Sequence, residues 1–367
     1  MNDAKTSYRI LFAGGGTGGH LFPAVAVAQQ IKEMKPEAEI LFVGTKSKIE
    51  GRFIPKLGYN FKSIWISGIK RKFSLENILF PLKLFVSSVQ SIIINMLFKP
   101  CVAIGSGGYV SGPAVWSASL MGSKIILLEQ NSFPGLTTRL LEKYADEIHL
   151  SFEDSKKYLK RKNILFTTGN PVRKNLGSVE KNEALAKFGF SGSKKTLLVL
   201  GGSLGAYSIN NAMANIIEKL NEGGIQVIWQ TGKIYFDQYK QLNSVNIKVF
   251  DFMEDMNLAY SASDLVLARA GATTIAELLV LGKPSILVPS PNVVENHQYH
   301  NARSLSDKSA AVMLEDKSLV ETLYESIMNT ISDDVRLQNL KNNALSLAKP
   351  DAAKIIAGNA IKYCERI

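Results

Sequence analysis

The run Phe12-Ala13-Gly14-Gly15-Gly16-Thr17-Gly18-Gly19-His20 closes the first apolar stretch, Tyr8 to Phe12, and opens into Leu21-Phe22-Pro23 and an alanine-rich segment of helical pattern. A strand that ends in this many glycines and turns directly into a helix brings backbone N–H groups close to whatever lies above it, and the helix start favours an anion. A phosphate is the simplest such anion, and His20 sets a titratable imidazole beside it. The spacing of Gly14, Gly16 and Gly19 also satisfies the dinucleotide fingerprint G-x-G-x-x-G. That fingerprint wants an acidic residue about 20 positions further on, at the end of the second strand, to hold a ribose diol. Here the second strand ends in Val43-Gly44-Thr45-Lys46-Ser47, with no carboxylate, which argues against NAD. An ATP-type loop fails too, because His20 and Leu21 stand where its Lys and Ser/Thr belong.

The rest of the chain repeats the same device. After the loop, the pattern predicts a helix over 24–34, a strand over 39–43, a helix over 49–57, a strand over 61–66 and a long helical stretch over 75–97. A strand at 102–104 then runs into a second glycine loop, Gly105-Ser106-Gly107-Gly108-Tyr109-Val110-Ser111-Gly112-Pro113, and further strands are expected at 124–128, 147–150 and 164–167. This alternation is that of a parallel sheet with helices on both faces. Gly169-Asn170-Pro171-Val172-Arg173 breaks it, which sets the domains at 1–172 and 173–350. The second half restarts with a strand at 196–200, the glycine turn Gly201-Gly202-Ser203-Leu204-Gly205-Ala206 and a helix over 207–220, followed by strands at 226–230, 248–252, 265–268 and 285–288. A final helix over 351–367 is expected to pack back on the first domain.

With 367 residues and 46% hydrophobic content the chain can bury two cores, and it is not disordered. The net charge of +11 calls for acidic company: nucleic acid, an anionic membrane surface or a phosphorylated substrate. Cys101 and Cys364 have no metal-ligand spacing and read as buried free thiols of a reducing compartment. Met1 to Arg9 leads straight into a strand without a signal-peptide pattern, so the protein is expected to stay inside the cell. The longest apolar region, Leu84 to Phe98, is broken by Ser87, Ser88, Gln90, Ser91 and Asn95 and is expected to fall short of the roughly 20 residues of a membrane span. Upstream, Gly68-Ile69-Lys70-Arg71-Lys72-Phe73 and Ile78-Leu79-Phe80-Pro81-Leu82-Lys83-Leu84-Phe85 mix cations with large apolar groups. Such a surface either lies on anionic lipid or packs as an ordinary amphipathic helix.

Each glycine loop either makes a tight turn or cradles an anion; three at strand-to-helix junctions point to anions, two loops in the first half and one in the second. Two anionic ligands, one for each domain, follow from that count. In the second half, Arg269-Ala270-Gly271-Ala272-Thr273-Thr274-Ile275-Ala276-Glu277 carries a carboxylate into a helix start, where it either accepts from a ribose diol or complements the helix dipole. Glu295-Asn296-His297-Gln298-Tyr299-His300-Asn301-Ala302 again follows a strand.

Taken in order, Gly14 to His20, Gly105 to Pro113, Glu129-Gln130-Asn131, Gly169 to Arg173, Gly201 to Ala206, Gly271 to Glu277, and His297-Gln298 with Asn301-Ala302 resemble the motifs of the lipid II-forming N-acetylglucosaminyltransferases of glycosyltransferase family 28. The likeness spans nearly the whole chain. It implies an α/β GT-B fold, two Rossmann-like parallel-sheet domains facing a central cleft, and an inverting hexosyl transfer with no tightly bound cofactor and no metal. The implied donor is UDP-N-acetylglucosamine, and the acceptor is lipid I, undecaprenyl-pyrophosphoryl-N-acetylmuramoyl-pentapeptide. Nucleic acid drops out as a partner; an anionic membrane surface, met peripherally at its cytoplasmic face, and other cell-wall synthesis or division proteins take its place. Carried over by position, His20 is the base for the acceptor 4-hydroxyl, or else an imidazole that orders its loop. The implied donor site comprises Thr17, Gly18, Asn131, Arg173, Ser203, Phe252, Met253, Ala272, Thr273, Thr274, Glu277, His297 and Gln298. The acceptor pyrophosphate falls to Gly14, Gly15, Gly16, Gly18, Gly19, Gly105, Gly107, Gly108 and Tyr109. Membrane contact falls to Ile78, Leu79, Phe80, Leu82, Lys83 and Trp116. Leu204 stands where the family usually has glutamine, and Thr273 where leucine is common.

Overall fold

Apolar runs such as Ile10-Leu11-Phe12-Ala13 and Leu197-Leu198-Val199 are buried throughout, without the in-and-out alternation of a half-solvated sheet. Runs of this kind belong to parallel strands covered on both faces. The computed structural model describes residues 8–68, 78–173, 176–202, 204–293 and 296–366. Ser203 and the cationic segment Ile69 to Phe73 therefore lie outside the described residues. The chain divides into two compact units, Met1–Arg173 with Lys349–Ile367, and Lys174–Ala348.

The first unit holds strands β1 (Arg9–Gly14), β2 (Glu39–Gly44), β3 (Asn60–Ser63), β4 (Val102–Gly107), β5 (Lys124–Glu129), β6 (Glu147–Leu150) and β7 (Leu165–Phe166). They form one sheet in the order β3-β2-β1-β4-β5-β6-β7, and every pair is parallel. The second unit holds β8 (Thr196–Leu200), β9 (Gln226–Gln230), β10 (Ile247–Phe250), β11 (Leu265–Arg269), β12 (Ser285–Val288) and β13 (Val312–Met313). Their order, β10-β9-β8-β11-β12-β13, repeats that of the first sheet, again with all pairs parallel. In each sheet the chain order reverses beside the first strand, between β1 and β4 and between β8 and β11. Open parallel sheets bind ligands at such switch points, beyond the carboxyl ends of the strands. Several strands depart from expectation: β4 runs on to Gly107, through residues read as the start of the second glycine loop, and β7 is only Leu165–Phe166. β3 stops at Ser63, after which Ile64 and Ile66 turn into the core; β10 ends before Phe252; and β13, two residues long, carries no periodic signal to read.

Alternate residues of β1 serve opposite cores. Ile10 and Phe12 pack with α1 (Gly18–Met34), with Ile54 of α2 (Ile49–Lys56) and with the C-terminal helix Ala352–Glu365. Leu11 and Ala13 pack with Val110 and with Ala114, Val115 and Ala118 of α4 (Ser111–Leu120). In the chain between α2 and α4 lies α3 (Phe80–Phe98), which packs on α4, and its polarity is reversed. Its buried residues are Ser87, Ser91 and Asn95, one per turn, whereas Leu82, Phe85, Val89, Ile93, Met96 and Leu97 are exposed, Leu97 by 80%. Asn95 explains the orientation, since its Nδ2 donates to the Ala114 carbonyl (3.1 Å) and the Ser117 hydroxyl (2.6 Å) of α4. Outside such a network a buried amide is costly. At 19 residues and a mean hydropathy of 1.4, α3 is long and apolar enough to cross a membrane by length and composition. That corrects the expectation that this stretch is too short; the hydrogen bonds that tie its inner stripe to α4 come from Asn95.

Besides Glu365, whose carboxylate accepts from the Tyr8 hydroxyl (3.0 Å) and pairs with Lys35 (3.3 Å), the C-terminal helix is fastened to the rest of the first unit at two places. Cys364 is disulfide-bonded to Cys101, just before β4, with Cα atoms 5.2 Å apart. This corrects the reading of two free thiols: 263 residues separate the pair in sequence, and only the return of the last helix onto the β1 and β4 core brings them together. At the second place the Glu147 carboxylate accepts from Asn359 Nδ2 (2.8 Å) and Tyr363 Oη (3.0 Å) and lies 3.0 Å from His149 Nε2. Burial pushes the Glu147 carboxyl up, but the hydrogen bonds from His149, Asn359 and Tyr363 outweigh it and hold the group below its ordinary value. A carboxyl lowered in the folded state contributes fully above its unfolded value, and the contribution is lost as pH falls through the folded one. Glu147→Gln is therefore expected to cost about 1–2 kcal/mol at neutral pH. In urea denaturation the gap from wild type should close as the pH is taken below about 4.

Candidate functional site

In the first unit the site grows out of a break in register. β1 and β4 pair residue for residue until Ala13 meets Gly105; the next pair is Gly14 with Gly107, so Ser106 is an extra residue on β4. A Cβ on Gly14 would collide with the Ser106 side chain, which is why the turn of β1 begins in glycine. The Ser111 hydroxyl fixes the bulge: it donates to the Ala13 carbonyl (2.6 Å) and accepts from the Gly107 amide (3.1 Å). On the other side of β1, Glu50 of α2 is buried and accepts from the Gly16 amide (2.9 Å), the Thr45 amide (3.0 Å) and the Thr45 hydroxyl (2.7 Å). A Cβ on Gly15 would stand 2.4 Å from that carboxyl carbon. The first glycine loop is thus moulded around an internal carboxylate. Gly16, assigned by resemblance to the pyrophosphate, has its amide committed to Glu50; Gly18 and Gly19 stand at the start of α1. Tyr109 lies against Gly16 and Gly68, and burial pushes its phenol up from the ordinary value.

His20, in the first turn of α1 and half-buried, lies over the second loop: a Cβ on Gly107 would come within 2.7 Å of His20 Nδ1. Gly107 has φ +96°, so both its conformation and its lack of a side chain are needed there. His20 Nδ1 is 3.0 Å from Gln130 Oε1, just past β5. Its neighbour Glu129 is 3% exposed and accepts from the Asn131 amide (3.0 Å) and the Gly135 amide (3.0 Å), shaping the turn into α5 (Leu136–Leu141) and holding Asn131 in place. Burial pushes the Glu129 carboxyl up, against the hydrogen bonds from Thr138, Asn131 and Gly135. Arg173 is exposed, with its guanidinium 5.9 Å from the Phe22 ring centre of α1. Thr17 is the exposed residue preceding that helix.

In the second unit, Gly202 and Gly205 turn with positive φ after β8. Gln230, at the end of β9, donates to the Gly202 carbonyl (3.0 Å) and accepts from the Met253 amide (2.8 Å), so one side chain couples the glycine turn to the segment carrying Phe252 and Met253. Phe252 is exposed and Met253 buried. Glu277, in the helix Ala272–Leu281 after β11, is 4% exposed and accepts from the Tyr260 hydroxyl (2.8 Å). Ala272 is buried, Thr274 half-buried, and the Thr273 hydroxyl is buried without a partner among the described residues. Gln298 accepts from the Ser290 amide (2.9 Å), and Asn301 donates to the Ala270 carbonyl (3.3 Å), so the helix His297–Ser306 is held against the ends of β11 and β12. Arg269 bridges the same region, binding Asp316, the Ser208 hydroxyl (2.7 Å) and the Val288 and Pro289 carbonyls (3.2 Å each). Among the described residues no group of three or more His, Cys, Asp or Glu could hold a metal ion.

The sequence reading missed Glu50, Tyr260 and Gln230, and it quoted Gln130 without a role. Glu50 sits 34 residues from Gly16 and Gln130 110 from His20, so neither pairing leaves a local pattern. At the lipid-facing candidates, Ile78, Leu79 and Leu82 are exposed and Phe80 half-exposed. Lys83 donates to the Ser67 hydroxyl (3.0 Å), while Trp116 packs against the core shared with α4.

Two parallel sheets of matching strand order, each with a glycine turn at its switch point, define the GT-B class of glycosyltransferases. Residues 10–150 match the glycosyltransferase family 28 N-terminal domain, and residues 196–356 match the family 28 C-terminal domain. The chain belongs to glycosyltransferase family 28. A Cytophaga hutchinsonii protein named UDP-N-acetylglucosamine–N-acetylmuramyl-(pentapeptide) pyrophosphoryl-undecaprenol N-acetylglucosamine transferase is 44% identical, over 97% of this chain and 96% of its own. A Bacteroides thetaiotaomicron protein of the same name is 43% identical, over 97% and 98%. The crystal structure of Acinetobacter baumannii MurG superimposes with a TM-score of 0.77 at 25% identity, covering 96% of this chain and 99% of that one.

Glu50→Ala would leave two amides and a hydroxyl without their acceptor. The expected loss is about 2–4 kcal/mol of unfolding free energy, measured in urea.

Proposed function

We propose that this chain transfers N-acetylglucosamine from UDP-N-acetylglucosamine to the 4-hydroxyl of the N-acetylmuramoyl group of lipid I, with inversion at the anomeric carbon, giving lipid II. The observation that carries this reading is the 44% identity, over 97% of the chain, to a relative bearing that transferase's name. As the acceptor oxygen attacks the anomeric carbon, His20 takes the hydroxyl proton and the bond to UDP breaks. UDP leaves as a diphosphate, whose developing charge the helix start after the Gly202 turn would balance. Glu277, fixed by Tyr260, would accept from the ribose hydroxyls. Gln230 would hold the Phe252 and Met253 segment at the uracil. Gly18, Gly19, Gly107 and Gly108 would lie under the acceptor pyrophosphate.

The reversed polarity of α3 supports a membrane-surface reading. An apolar face turned outward, on a chain of net charge +11, suits the interface of an anionic membrane rather than water. Peripheral attachment at the cytoplasmic face would bring the enzyme to its polyprenyl-linked acceptor.

Purified protein given UDP-N-acetylglucosamine and a short-chain lipid I analogue should release UDP; release without acceptor, or none with it, would reject the assignment. His20→Ala should lower kcat by a factor of about 10²–10⁴ with UDP affinity nearly intact, whereas Glu277→Ala should weaken UDP binding in calorimetry. Phe85→Glu combined with Leu97→Glu should reduce sedimentation with phosphatidylglycerol vesicles without lowering the melting temperature, since both residues are exposed.

A further inference from the structure

We propose that Gln130 is a positioning residue that holds His20 in the Nδ1-protonated tautomer, so that Nε2 keeps the lone pair with which it can take a proton. The argument rests on the reading of His20 as the base. A neutral imidazole carries one N–H, and which nitrogen bears it is set by the partner of the other. A glutamine could in principle present either end of its amide to the ring. Here the choice is made by a third group. Gln130 Nε2 donates to the Leu128 carbonyl at 3.0 Å, and a carbonyl only accepts. The amide oxygen must therefore face His20, and it lies 3.0 Å from Nδ1. An amide oxygen only accepts as well, so Nδ1 is the nitrogen that carries the proton.

The surroundings leave little freedom for another arrangement. Gln130 is 2% exposed, so its amide has no solvent to exchange partners with. Gly107 packs against the Nδ1 edge of the ring and Gly108 lies 3.6 Å from Cδ2, measured from the Cβ each glycine lacks. Nε2 has no hydrogen-bond partner among the described residues. The adjacent Glu129 is itself held by the Asn131 and Gly135 amides and the Thr138 hydroxyl. In water a free imidazole prefers its proton on Nε2, the tautomer that cannot act as a base through that atom. Gln130 reverses the preference.

The test is direct because the chain has four histidines. In protein labelled with ¹⁵N-histidine, two-bond nitrogen–proton spectra show which ring nitrogen is protonated, and His20→Asn identifies the His20 signals. Wild type should show His20 protonated at Nδ1. Gln130→Met, of similar length but with no acceptor, should shift the ring toward the Nε2-protonated form and lower kcat on the order of 10-fold to 100-fold, with KM for the donor within about twofold. Gln130→Glu, which keeps an acceptor oxygen, should restore both the tautomer and most of the turnover. Unmoved signals from His149, His297 and His300 verify that each variant is folded. Nε2 protonation of His20 in wild type, or an unchanged tautomer in Gln130→Met, would overturn the proposal. A tautomer that shifts while turnover stays constant would leave Gln130 setting the tautomer but remove His20 as the base, the reading that His20→Ala tests independently.

Discussion

The structure of the first unit depends on one extra residue. Ser106 interrupts the pairing of β1 with β4 at the point where the sheet reverses its order, and the two strand ends part around it. The separation would be unstable if the backbone groups it releases were left unmet, because buried amides and carbonyls need partners. Ser111 supplies them, bonding to Ala13 on one strand and to Gly107 on the other. With the bulge pinned, Gly107 lies directly beneath His20, and the imidazole, the second loop and Gln130 become one assembly. A side chain at Gly14 or at Gly107 would separate those parts.

Buried carboxylates set the loops. Glu50, Glu129 and Glu277 are each under 5% exposed and stand near strand ends. An unpaired ion in such a place costs several kcal/mol, so the acceptor capacity of each must be met. Glu50 and Glu129 meet it with backbone amides of the glycine and Asn131 turns, and Glu277 with the Tyr260 hydroxyl. These hydrogen bonds tie the turns to the body of each unit. Their role at Gly16 also separates two uses of glycine that look alike in a sequence: one amide faces inward to a protein carboxylate, while Gly18 and Gly19 remain at the helix start.

A similar inversion governs α3. Helices of globular domains ordinarily bury their apolar stripe. In α3 the serines and Asn95 face α4, because Asn95 reaches a carbonyl and a hydroxyl there, and the leucines, Phe85 and Met96 are turned outward. The apolar residues are left on the exposed face.

The sequence by itself determined the two-sheet architecture, because strands buried on both faces need unbroken apolar runs and parallel strands need helical crossovers between them. It also determined where the glycine turns fall, since a turn from strand to helix with close backbone approach admits few other residues. Most strand positions were therefore legible, with errors at the ends of β3, β4, β7 and β10 and at β13, where pairing rather than composition sets the end. Family membership was legible from the ordered motifs. Tertiary structure alone decided how the charges and sulfurs pair. Glu50 with Gly16, Gln130 with His20, Cys101 with Cys364 and Glu147 with Tyr363 join residues 34 to 263 positions apart. Hydrogen bonds and disulfides act over about 3 Å or less, so they exist only once the sheet order has brought distant segments together.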